Sequence, residues 1–123
     1  MKNTALVLSL VLSILSCKKE SNEVELDKKF NMVYNQTVSL NSENLTIKLV
    51  DITDSRCPNG AQCTWQGEGR LTLNINNSEI QVSTLTPTNT LGYTFNIIDL
   101  SPYPNIDSNL SKEDYKAELV IFK

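Results

Sequence analysis

The chain has no histidine, and it contains only four glycines, four prolines and one tryptophan among its 123 residues. Histidine is the usual base that activates a serine or cysteine nucleophile, so its absence removes the commonest route to covalent catalysis. A zinc site would lack ligands for the same reason. Glycine-rich phosphate loops and dinucleotide-binding fingerprints are also missing. We therefore predict that the protein is not an enzyme and binds neither a metal nor another cofactor.

Carboxylates are the remaining candidates for catalysis or metal binding. Glycoside hydrolysis needs two acids flanking a cleft, and the acids near predicted strand ends are Asp51, Asp54, Glu68 and Asp99. The first three are also the candidates for a calcium site, but their spacing does not match that of an EF-hand loop. Acids at strand ends are usually solvated, so both alternatives rank below a non-catalytic function.

Positive charge is also scarce. Eleven lysines and arginines stand against 14 aspartates and glutamates, which gives a formal net charge of -3. A mildly acidic chain has no basic patch to attract phosphates, and we predict no nucleic-acid partner.

The N-terminus carries the clearest signal in the sequence. After Lys2, residues 5–15 form an unbroken run of apolar residues and serines. As a helix this run would span only about 16 Å, roughly half of a hydrocarbon core near 30 Å. It also lacks the polar face of a core helix, which leaves a secretion signal, lipoprotein or ordinary. We predict a helical signal segment over residues 1–16.

Residues 14–17 read ILSC and resemble the lipobox of bacterial lipoproteins, in which the cysteine sulfur is acylated and the chain is cut just before that cysteine. The resemblance implies that Cys17 carries more than one acyl chain, which makes release from the membrane negligible. The predicted location is the cell envelope. Lys18 replaces the aspartate that resembles an inner-membrane retention signal, which favours the outer membrane, on its periplasmic or surface side.

Removal of residues 1–16 leaves 107 residues, enough for one domain. Residues 17–29 are polar and charged, and we predict a tether there, serving as a spacer or a sorting signal. Residues 30–123 alternate apolar and polar positions with period two, and Asn76 and Asn77 suit a tight hairpin turn. The alternation changes face after Leu49, which predicts a bulge or a switch between sheets, and it changes face again at Ile98. The predicted fold is all-β, a small sandwich or barrel of six to seven short strands.

With Cys17 used for the lipid, Cys57 and Cys63 remain as an even pair in an exported chain. A disulfide is the expected state of such a pair. The alternatives are a metal-binding pair or two free thiols, although a metal would lack a third thiolate or a histidine.

The segment around these cysteines has a distinctive sequence. Residues 54–58 read DSRCP and residues 63–67 read CTWQG. They resemble a recurring Asp-Ser-Arg-Cys-Pro, Cys-x-Trp-x-Gly pattern in small, functionally uncharacterised lipoproteins of bacterial envelopes. The resemblance implies a secreted all-β domain whose long loop is held by a Cys57–Cys63 bridge. It brings no known activity with it.

These observations favour an exported, lipid-anchored envelope protein that serves as a binding or structural module. The membrane is its partner through Cys17, and an envelope protein or a glycan is the candidate second partner. The candidate interaction loop contains Asp54, Arg56, Trp65 and Glu68. We expect the Trp65 ring to be buried against the bridge or a sheet end.

A protease inhibitor that presents Arg56 on a disulfide-held loop is the alternative function, because a rigid loop lowers the entropy cost of binding. The competing interpretation of this residue is an ion pair with Asp51 or Asp54 across the loop.

Overall fold

A computed structural model describes residues 22–123. The signal segment predicted over residues 1–16 and the lipidation site Cys17 lie outside these residues. Within the described part, no helix is long and apolar enough to span a bilayer. The strands are β1 (Phe30–Val33), β2 (Thr37–Leu40), β3 (Leu45–Asp54), β4 (Gly69–Ile75), β5 (Ser78–Ser83), β6 (Thr88–Thr90), β7 (Tyr93–Ser101) and β8 (Lys116–Phe122). Two short 3-10 turns, Asn41–Glu43 and Lys112–Asp114, complete the regular structure of these residues.

The strands form two antiparallel sheets of four, in the orders β1-β8-β7-β6 and β2-β3-β4-β5. They make a sandwich rather than a closed barrel, which confirms the predicted all-β class. The eight strands exceed the six to seven predicted. The additional pairing comes from short edge strands such as β6, which has three residues and follows Pro87.

The core lies between the two sheets and is filled by every second residue of the central strands, as the period-two pattern predicts. The inward residues of one sheet include Ile47, Leu49, Ile52, Leu71, Leu73 and Ile75, and those of the other include Phe95, Ile97, Leu100, Ala117, Leu119 and Ile121. Among the described residues, no polar or charged residue lies in this core.

Both predicted changes of face are bulges. In β3 the register passes from Leu49 opposite Leu73 to Asp51 opposite Thr72, so that Val50 is the extra residue. In β7 the same happens at Ile98. An extra residue restores the inward orientation of the following apolar side chain, and the strand can bury residues on both sides of the bulge.

The predicted Asn76–Asn77 turn is also confirmed. Asn76 and Asn77 connect β4 to β5 with φ of 47° and 71°, values that asparagine tolerates better than most residues. Ser111 and Asp114 form the capping box of the 3-10 turn that precedes β8.

Residues 22–29, which the sequence assigns to the polar tether, lie against the β domain. Glu23 forms a parallel bridge with Ser39 of β2, and the amide of Asp27 donates to the carbonyl of Ile121. Val24 and Leu26 are partly buried against the core. The packing of these two apolar residues and the backbone hydrogen bonds together hold the segment against the domain.

Candidate functional site

The cysteine loop connects β3 to β4 and is closed by the predicted bridge. Cys57 and Cys63 are disulfide-bonded, with their Cα atoms 5.9 Å apart. Two backbone hydrogen bonds extend the β3–β4 pairing into the loop: the amide of Ser55 donates to Glu68 O and the amide of Cys57 donates to Gln66 O, both at 2.8 Å. The loop is therefore a twisted extension of the sheet, and the bridge constrains only its outer part.

A second loop, which follows β7, packs against the cysteine loop. The Tyr103 hydroxyl donates to Cys57 O at 2.8 Å, the Asn59 amide to Pro104 O at 3.0 Å, and the Ile106 amide to Asn59 O at 3.1 Å. We call residues 57–67 and 102–106 together the uncharged tip, because they contain no Asp, Glu, Lys or Arg. Both sheets thus contribute to one loop surface at this end of the sandwich.

Arg56 joins the two sheets beneath the uncharged tip. Its Nε and Nη2 atoms donate to the two carboxylate oxygens of Asp54 at 2.8 and 2.9 Å. Its Nη1 and Nη2 atoms donate to the carbonyls of Leu100 and Pro102 at 2.8 and 3.2 Å. The guanidinium also lies 4.7 Å from the centre of the Tyr103 ring, within cation–π range. Only 10% of the Arg56 side chain and 6% of the Asp54 side chain are exposed.

The ionisation of this cluster is set by its contacts. Burial raises the pKa of Asp54, but hydrogen bonds from Arg56 and from the Tyr115 hydroxyl outweigh burial and leave the pKa below its ordinary value. Burial, followed by the hydrogen bond to Asp54, raises the pKa of Tyr115 to about 12. At neutral pH the cluster is a charged aspartate and arginine with a neutral tyrosine donor.

The other acids of the predicted site are held separately. Glu68, whose side chain is 18% exposed, pairs with Arg70 and accepts a hydrogen bond from the Ser83 hydroxyl. Asp51 pairs with Lys112 of the turn before β8. Among residues 22–123, no group of three or more Cys, Asp or Glu side chains is arranged to hold a metal ion. Neither the calcium site nor a paired-carboxylate centre has support from these positions.

Trp65 is 61% exposed, and the prediction that its ring is buried is wrong. Residues 59–66 are all exposed, so the ring lies in the outer part of the loop and outside the core. Tyr103 and Ile106, on the second loop, are 49% and 59% exposed. The large exposed apolar side chains of the site are therefore these three, on a surface that they share with exposed uncharged polar residues such as Gln62 and Gln66.

The structure corrects the composition of the candidate interaction loop. Asp54 and Arg56 form an internal ion pair, which is the competing interpretation of Arg56, and Glu68 is largely engaged by Arg70 and Ser83. An inhibitory loop must offer its arginine side chain to a protease pocket, whereas Arg56 points inward. The geometry gives the inhibitor alternative no support.

Sequence reasoning missed the second loop as part of the site. Leu100 and Pro102 lie 44 and 46 residues from Arg56 in the chain, so no local pattern connects them. The available signal is the uncharged stretch around Tyr103, which Pro102 and Pro104 flank.

A scan against protein-family models finds no match to this chain, and searches of curated proteins and of solved structures find none either.

Proposed function

We propose that the protein is an exported, lipid-anchored component of the bacterial cell envelope in which the β-sandwich is a binding or structural module. The observation that carries the proposal is the ILSC sequence at residues 14–17, placed directly after an apolar run too short to cross a bilayer. Acylation of Cys17 and removal of residues 1–16 follow from that resemblance. The outer membrane is the proposed location.

The disulfide supports export. Cys57 and Cys63 are bonded, and disulfides form and persist in oxidising compartments outside the cytosol. By the chain-entropy relation a ring this small contributes only about 2.4 kcal/mol to stability. Its main effect is to fix the shape of the loop that carries Trp65.

The interaction surface of this module is the uncharged tip. It is the part of the described domain where an exposed Trp65, Tyr103 and Ile106 lie on two loops tied together by backbone hydrogen bonds. Rigid aromatic side chains on constrained loops bind partners at low entropic cost. The buried ion pair beneath the tip is a structural support, and the domain is proposed to be non-catalytic.

Replacement of Cys17 by Ser tests the anchor. We expect the variant to lose metabolic labelling with a fatty acid and to leave the membrane fraction, because the acceptor sulfur is gone. The double variant Cys57→Ser/Cys63→Ser is the matched control and should retain the label. Labelling of the Cys17→Ser protein, or its absence from the unaltered protein, would contradict the proposal.

A further inference from the structure

The backbone hydrogen bonds of residues 22–24 show from which end of the sandwich the chain enters the domain. Residues 22–24 run parallel to β2: the Ser39 amide donates to Asn22 O at 2.7 Å and the Val24 amide donates to Ser39 O at 2.8 Å. Going backwards along the chain from Asn22 therefore leads towards the start of β2 at Thr37. Thr37 lies opposite Lys48, and β3 continues from there to Asp54 and the cysteine loop. At Asn22 the chain therefore enters from the direction of the end of the sandwich that carries the uncharged tip.

The short distance along the chain from Cys17 to Asn22 limits where an anchored domain can lie. These positions are five residues apart, which is at most about 17 Å of extended chain. The part of β3 beyond Lys48 extends about 20 Å towards the uncharged tip at ~3.3 Å per residue. A chain that continues straight from Asn22 therefore reaches about the level of Asp54, and the tip projects beyond that level. With Cys17 at the membrane surface, the tip then reaches the same surface.

The composition of the uncharged tip suits a lipid interface. Trp and Tyr prefer the boundary between headgroups and acyl chains, where an apolar ring and a polar atom are both accommodated. Trp65, Tyr103 and Ile106 are exposed on this surface, and no formal charge has to be desolvated there. An uncharged surface also avoids repulsion between an acidic protein and anionic headgroups.

The opposite end of the sandwich is less suited to this role. It exposes Leu91 and Phe122 beside the ion pair of Glu43 with Lys123, and the uncharged tip is likewise flanked by the ion pair of Glu68 with Arg70. The direction of the chain at Asn22 is what distinguishes the two ends. The backbone at Asn22 points back towards the uncharged tip and away from the opposite end.

We infer that the uncharged tip docks on the surface of the same lipid bilayer that holds the acyl chains of Cys17, with Trp65, Tyr103 and Ile106 entering the interface. The inference rests on the proposed lipid anchor and identifies the partner of its interaction surface. Docking orients the sandwich with the Asn76–Asn77 turn directed away from the membrane.

The single tryptophan makes the docking measurable on the whole mature protein. The acylated protein is reconstituted into phosphatidylcholine vesicles, half of the preparations containing lipid brominated near the headgroup end of its acyl chains. Bromine quenches tryptophan only at close range. We expect Trp65 to lose most of its emission in the brominated vesicles and its emission maximum to shift to shorter wavelength relative to the Cys17→Ser protein in buffer.

Two single substitutions provide a matched comparison. Ile106→Asn removes an apolar side chain from the uncharged tip and should reduce the quenching of Trp65. Leu91→Asn changes a similarly exposed residue at the opposite end and should leave the quenching unchanged. Leu91 has φ of 56°, which asparagine tolerates, so this control is not expected to strain the fold.

The outcomes separate the docking from the anchor. Unquenched Trp65 in a protein whose mass shows acyl chains on Cys17 would overturn the docking and leave the anchor standing. A mature protein without acyl mass would overturn both. If Trp65 is unquenched on vesicles but its emission shifts when peptidoglycan fragments are added, the uncharged tip is a glycan site and the docking is wrong. Equal loss of quenching in both variants would also contradict it.

Discussion

At the scale of single residues, Arg56 shows how one side chain can hold a two-sheet protein together. Its backbone belongs to the loop that follows β3. Its two carbonyl acceptors belong to the other sheet: Leu100 lies in β7, and Pro102 follows that strand. The planar guanidinium donates hydrogen bonds to Asp54 and to both carbonyls at once. The ammonium group of a lysine cannot reproduce this geometry.

We expect Arg56→Ala to destabilise the domain by about 3–5 kcal/mol, because it leaves the Asp54 carboxylate buried without its charge partner. This reverses what an exposed Arg56 on an interaction loop would give, namely a nearly unchanged melting temperature. Arg56→Lys should have an intermediate effect. Urea unfolding measures the changes, with Arg70→Ala as the exposed control, for which about 0–1 kcal/mol is expected. Equal effects at the two positions would contradict the structural role of Arg56.

The same cluster predicts a pH dependence. The pKa of Asp54 is lower in the folded protein than its ordinary value of 3.8, so its ionised form stabilises the fold. The stabilisation by ionised Asp54 is complete at pH values above the pKa of the unfolded state. It is lost as the pH falls through the lower pKa of the folded state. Asp54→Asn should lower stability at neutral pH and flatten the decline in acid. Unfolding free energies measured from neutral to acidic pH test this, and parallel curves for the two proteins would refute it.

Local sequence patterns predicted only some of these side-chain interactions. The sequence predicted the disulfide and identified Asp54 as a candidate partner of Arg56, because each needs only near neighbours or a count of cysteines. It misjudged Trp65, since whether a large ring is covered depends on where a loop points relative to two sheets. That direction is set by contacts such as Tyr103 with Cys57, which are 46 residues apart.

At the scale of elements, the cysteine loop leaves the sheet at a crowded point. Gly67 has φ of 67°, and a Cβ added there would lie 1.8 Å from the carbonyl oxygen of Ser55. That oxygen is backbone, so it cannot move aside as a flexible side chain would. A residue without a Cβ is therefore required where the chain turns back towards β4.

We expect Gly67→Ala to destabilise the domain by at least about 3 kcal/mol, because the added methyl forces the paired backbone segments apart. Gly92→Ala is the matched control: its φ is 80°, but nothing lies within 4 Å of the added Cβ. Backbone strain alone should then cost about 1 kcal/mol. Thermal unfolding of both variants measures the difference. A Gly67→Ala protein as stable as the Gly92→Ala protein would show that residue 67 does not lie this close to the Ser55 carbonyl.

Elements with a strong local cause were predictable. The bulges at Val50 and Ile98 follow from a change in the alternation of apolar residues, and the β4–β5 turn follows from two adjacent asparagines. Strand β6 has no such local cause, because Thr88–Thr90 follows a proline and has no buried side chain of its own. Its structure comes from pairing with β7, which is a tertiary effect.

At the scale of the whole molecule, the boundary of the domain lies earlier than residue 30. Val24 and Leu26 pack on the core, and the hydrogen bonds around Ser39 cover part of the edge of β2. The sequence did not show this, because two apolar residues within a charged stretch carry no periodic pattern.

We expect a chain that begins at residue 30 to be less stable by about 1–3 kcal/mol than one that begins at residue 22, because the area buried by Val24 and Leu26 is lost. The shorter chain should also self-associate more readily, since the edge of β2 is uncovered. Urea unfolding and light scattering measure the two effects. Identical stability and solubility would place residues 22–29 outside the folded domain.

The parallel pairing of residues 22–24 with β2 has a mechanical consequence for an anchored protein. A force that pulls the domain away from Cys17 acts along β2, so it loads the two hydrogen bonds of Ser39 in shear, together rather than in sequence. Extraction also requires Val24 and Leu26 to leave the core before β1 is reached. If the domain is anchored through Cys17 as proposed, the segment that attaches it also resists its unfolding under force.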